Sequence, residues 1–93
     1  MADIEQRLGL RRSLGRHLKS LREENGMSQR SVSEQLGLDA STLSRLEAGH
    51  SNWHLETFVH YSHVVGANPG SILTQVLQQL DHEDPASLWE NEE

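Results

Sequence analysis

Between Ser28 and Gly49 the chain reads SQRSVSEQLGLDASTLSRLEAG, two short apolar patterns that meet at a glycine. Ser28 can accept a hydrogen bond from an amide one turn on, and Met27 stands five positions before Val32, the spacing of a hydrophobic staple across a helix start. Val32 and Leu36 then share a face, and Gly37 supplies the residue that turns easily to positive φ at a helix end. Asp39 repeats the device, with Leu38 ahead of the cap and Leu43 at the staple position, and Leu43 and Leu46 line one face until Gly49. The spacing predicts two helices of barely two turns crossing at a tight turn.

Helical spacing organises the rest as well. Leu14, Leu18 and Leu21 recur between polar residues, and Asn25-Gly26 is a helix stop. After the loop His50, Ser51 and Asn52, the last of these is expected to cap a fourth helix whose Leu55, Phe58, Tyr61, Ser62 and Val65 mark one face, closed by Gly66. Asn68-Pro69 opens a fifth, with proline where a helix needs no amide and with Ile72, Leu73, Val76, Leu77 and Leu80 as its apolar stripe. Residues 1–12 read as an N-terminal arm, 13–80 as the domain and 81–93, DHEDPASLWENEE, as an acidic tail in which Leu88 and Trp89 are the sticky residues. No stretch reads as a strand, so the expected class is all-α, five helices.

A chain of 93 residues supports one modest core. It has no cysteine, which excludes disulfides and thiolate metal sites. No window approaches the ~18 apolar residues of a membrane span, and the charged start MADIEQR is unlike a signal peptide, so a cytoplasmic protein without membrane contact is expected. The net charge of −6 argues at first sight against a polyanionic partner. The average conceals a gradient, however. Residues 1–49 hold all eight Lys and Arg against seven acids, whereas residues 50–93 hold seven acids and no Lys or Arg. A polyanion can approach the first half while the second points away.

A helix-turn-helix unit needs small or apolar residues where its helices cross, a glycine in the turn, and polar residues outward on its second helix. Val32, Ser33, Leu36, Gly37, Leu38, Leu43 and Leu46 fall on those inner slots. With the flanking LREENGMSQ and VVGANPGSIL, the chain resembles the Cro/C1-type (XRE-like) helix-turn-helix family of small phage and bacterial regulators over residues 13–80. Ser33 stands where that family often has alanine. The resemblance implies a lambda-repressor-like domain of five helices that binds double-stranded operator DNA as a homodimer, helix three lying in the major groove.

The residues carry roles accordingly. Ala40, Ser41, Thr42, Ser44 and Arg45 lie opposite Leu43 and Leu46, and are the candidates for base contacts. Arg45 leads them, because a guanidinium can donate twice to guanine, and Ala40 can touch a thymine methyl; outside such a motif an arginine on a helix is ordinarily a solvated charge. Gln29, with the first amides of helix two, is placed to hold a phosphate, as the matching glutamine does in the family, and Arg30 adds charge beside it. The loop His50, Ser51, Asn52 matches a segment that touches phosphate in relatives, which often carry lysine at the His50 position. Arg11, Arg12, Arg16 and Lys19 form a basic cluster that reads equally well as a solvated face. By resemblance, Arg22 and Glu47 form a structural ion pair tying helix one to the end of helix three. Val76, Leu77 and Leu80 exceed what a five-helix core requires and are assigned to dimerisation, against the plainer reading that they complete the monomer core. Trp53 is either a lid on the core or part of a dimer seam.

His54, His60 and His63 have helical spacing but no completing acid or cysteine, so surface histidines are the simpler reading and no metal or cofactor is expected. No Gly-rich phosphate loop or arranged Ser, His and Asp set points to an enzyme. The leading expectation is a sequence-specific transcription regulator, most simply a repressor on a pseudo-palindromic operator. The alternative is a protein-interaction module, in which the acidic half binds a toxin, as an antitoxin would, or RNA polymerase.

Overall fold

In the computed structural model, which describes residues 4–83 and the side chains of 9–80, the chain forms five α-helices. They are α1 (Ile4–Glu24), α2 (Gln29–Leu36), α3 (Ala40–Glu47), α4 (Leu55–Val64) and α5 (Pro69–Glu83). The class is all-α, and no strand occurs among the described residues.

Local signals account for most of the boundaries. Ser28 Oγ accepts from the Ser31 amide at 3.0 Å, and Gly37 closes α2 at φ 72°, which lets the Leu38 amide return to the Ser33 carbonyl at 2.9 Å. Asn68 Oδ1 accepts from the Ser71 amide at 3.0 Å and starts α5 on Pro69. Two caps differ from expectation. Asp39 has the extended backbone of an N-cap but its side chain makes no capping bond. Helix α4 starts at Leu55 with His54 as the cap, so Asn52 and Trp53 lie in the loop before it and Leu55, expected on the inner face, is 72% exposed. The start comes two residues later than expected, which makes Leu55 the first residue of α4, at the end of the helix and past the core that covers Phe58 and Tyr61.

The larger difference is at the N-terminus. Helix α1 begins at Ile4, so residues 4–12, expected as an arm, extend it by more than two turns. Gly9 and Gly15 weaken the local helix signal of this stretch, and tertiary packing overrides it. Leu14 and Leu18 enter the core with Val32, Leu43, Phe58, Tyr61, Val65, Ile72, Val76 and Leu80, and Leu10 packs against it. α1 lies across both α5 and α3, α2 packs on α3 and α4, and α4 on α5.

That extension corrects the dimerisation assignment of Val76 and Leu80. Val76 is fully buried and Leu80 nearly so, both within the chain's own core, and the extension of α1 reaches Leu80 at Gly9. Leu77 is half-buried, as is Leu73, while Ile72 is inside. Ser33 fills the small slot where helices cross, its hydroxyl donating to the Arg30 carbonyl at 2.9 Å.

Candidate nucleic-acid interface

The outer face of α3 is built by what the inner face holds. Leu43 and Leu46 sit in the core, which turns Ala40, Ser41, Thr42, Ser44 and Arg45 outward, all of them exposed. Arg45 makes no salt bridge among the described residues, where the ion pairs are Arg22–Glu47 and Arg30–Glu34. Its guanidinium stands free on a polar rod two turns long. The negative side chain nearest the start of that rod is the exposed Asp39.

At the other end α3 is anchored by one carboxylate. Arg22 donates to Glu47 through Nε at 2.8 Å and Nη2 at 3.1 Å, the fork geometry that makes such pairs strong. Its Nη1 reaches the Met27 carbonyl at 2.8 Å. Gln29 Nε2 donates to Glu47 Oε1 at 2.9 Å, and the Tyr61 hydroxyl donates to Oε2. The Glu47 carboxylate therefore joins α1, α2, α3 and α4 in one place. Burial works against its charge, but the hydrogen bonds from Arg22, Tyr61 and Gln29 outweigh that and hold its pKa below the ordinary value. The same bond raises the Arg22 pKa, and burial together with the neighbouring carboxylate raises that of Tyr61.

A second device lies where α1 crosses α3, and the sequence reading passed over it. A Cβ on Gly15 would lie 2.5 Å from the carbonyl oxygens of both Leu46 and Glu47, so only glycine lets the two backbones approach this closely. The available signal was a glycine inside a helical apolar pattern, which weakens a helix unless packing needs it. Gly49, at φ 82°, lies against the Arg12 backbone in the same way, and the His50 amide closes the turn on the Arg45 carbonyl at 2.9 Å.

The residues considered for phosphate contact divide. Gln29 is half-buried and oriented by Glu47, with a second amide hydrogen to offer, beside the α2 amides that have no carbonyl a turn earlier. Arg30 is exposed and pairs loosely with Glu34 at 3.4 Å. His50 and Asn52 are exposed and Ser51 is half-buried, all in the α3–α4 loop. Arg12, Arg16 and Lys19 are exposed on α1, and Arg11 is half-buried. Trp53 packs edge-on against Tyr61, ring centroids 5.7 Å apart, so part of it does cover the core. His54, His60 and His63 are exposed, and no group of metal-ligating side chains suited to a metal ion occurs among the described residues. No described helix is long and apolar enough to cross a membrane. Leu88 and Trp89 lie outside the described residues.

Comparison with known proteins agrees with this geometry. Among curated proteins none is significantly similar in sequence. Two crystal structures of the clp gene regulator ClgR from Corynebacterium glutamicum superpose well. One is 30% identical, covering 83% of this chain and 86% of its own with a TM-score of 0.70; the other is 29% identical, covering 74% and 88%, with a TM-score of 0.69. The family defined by a helix-turn-helix domain matches residues 13–69, which contain α2, α3 and the Glu47 anchor. With two short helices about Gly37, an outward polar face and that match, the chain belongs to the helix-turn-helix domain family.

Proposed function

We propose that the chain is a sequence-specific transcriptional repressor that binds a pseudo-palindromic operator as a homodimer, with α3 in the major groove of double-stranded DNA. The observation that carries this reading is the exposed Arg45, in no ion pair among the described residues, beside Ala40, Ser41, Thr42 and Ser44 on a helix whose far side is fixed by Leu43, Leu46 and Glu47. A base-reading side chain needs both freedom at its tip and a rigid seat, since a loose helix cannot hold a guanidinium in the plane of a guanine edge. Membership of the helix-turn-helix family and likeness to a solved gene regulator support the DNA-binding, regulatory part of the reading.

Phosphate contacts from Gln29, Arg30, the first α2 amides and the loop His50, Ser51 and Asn52 set the register of α3 in the groove. The charge gradient fits the same arrangement, because all eight Lys and Arg lie within residues 1–49, the part of the chain that carries α2 and α3.

The test is titration of DNA fragments from around the chain's own gene across a salt series. A specific complex loses affinity steeply with salt, and Arg45→Ala costs about 1 to 3 kcal/mol while relaxing preference at one base position. Equal affinity for random and cognate fragments, unchanged by Arg45→Ala, would sink the reading.

A further inference from the structure

Leu55 is the exposed large hydrophobic residue of the described chain, at 72%, and it stands on the rim of a groove of about 300 Å³. Leu10, Leu14, Trp53, Phe58 and Leu73 give that groove an apolar lining, and Arg11 closes one side. Two buried hydrogen-bond donors there, Arg11 Nε and Trp53 Nε1, have no acceptor among the described residues. Both are closed off from solvent within the chain, but the Arg11 charge itself is in no ion pair among the described residues. Beside Leu55 is Glu56, exposed and in no ion pair among the described residues.

A protruding apolar side chain next to a hole that would receive it is what a two-fold contact between identical surfaces requires. We infer that this patch is the seam of the homodimer: Leu55 of each copy enters the other's groove, and Glu56 brings its carboxylate to the positive charge of the other's Arg11. This rests on the DNA-binding reading in taking a second copy as the occupant. Asn52 and Trp53 line the groove within a few residues of the end of α3, so pairing here sets the two reading helices on either side of the seam, as adjacent half-sites demand. The seam also replaces the one expected on α5, whose Val76 and Leu80 are committed to the core.

Sedimentation equilibrium of the full chain tests it. Wild type is expected to be a dimer at micromolar concentration, and Leu55→Asp to weaken the dimer about tenfold or more with an unchanged far-ultraviolet circular dichroism spectrum. Glu56→Arg and Arg11→Glu should each weaken it, and the double variant, with the charges exchanged, should recover it. A monomeric wild type, a Leu55→Asp chain that dimerises like wild type, or a double variant no better than the worse single one overturns the seam. A chain ending at Glu83 should remain dimeric; its becoming monomeric while Leu55→Asp stays dimeric would assign dimerisation to residues 84–93 instead. The two readings fail separately. A dimer that depends on Leu55 yet binds all DNA alike would refute the operator reading and leave the seam standing.

Discussion

At the scale of single residues, the two interior glycines of α1 differ in consequence. A Cβ on Gly9 would meet Leu80 Cδ2 at 4.0 Å, an ordinary contact, whereas on Gly15 it would strike the α3 backbone. Gly9→Ala is therefore expected to raise stability by about 0.5 to 1 kcal/mol, the ordinary helix preference for alanine. Gly15→Ala should lower it by about 2 kcal/mol or more, because neither backbone can give way cheaply. Urea denaturation of the two variants checks the sign of each. Glu47 supplies a second residue-scale test. Its carboxyl is held below the ordinary value of 4.5, so the stability it contributes is present above that value and lost as pH falls through the lowered folded-state one. The thermal midpoint of wild type should fall over that acid range. Glu47→Gln should be less stable at neutral pH, where Arg22 loses its charged partner, and should show a flatter acid limb.

At the scale of elements, Leu80→Ala separates core from seam. It removes a buried side chain between α5 and α1 and should cost about 2 kcal/mol or more in urea denaturation, with no change in the dimer equilibrium measured by sedimentation above the unfolding range. The short elements were legible because their signals are local: Ser28, Gly37 and the pair Asn68-Pro69 each act within a turn, through one cap or one backbone conformation. The limits of α1 and α4 were less so. The first turns of α1 are helical although Gly9 and Gly15 oppose it locally, and their stability comes from contact with α5, seventy residues away in sequence. Asn52 is a better cap by type than His54, which makes no side-chain capping bond, yet Trp53 packs on Tyr61 from the loop and α4 begins only after it. For the site, the outward set on α3 followed from the buried positions of Leu43 and Leu46, and the Arg22–Glu47 contact from resemblance. The engagement of Gln29 and Tyr61 with the same carboxylate did not, since nothing in a linear pattern shows which distant groups converge.

At the scale of the whole molecule, the long N-terminal helix and α5 close a core that the helix-turn-helix alone cannot. Residues 13–69 carry the family match, yet Ile72, Val76, Leu80 and Leu10 lie outside them. Alone, the matched segment would lack a wall of its core. The helix-turn-helix is thus mounted on the remainder of the fold, and the mounting uses a different set of side chains from the one facing outward. None of Ala40, Ser41, Thr42, Ser44 and Arg45 belongs to the core or to the Glu47 network. Under the proposed DNA-binding reading, exchanging these five redirects the chain to a new target at little risk to folding, so that descendants of one scaffold can diverge in what they read while inheriting the same interior.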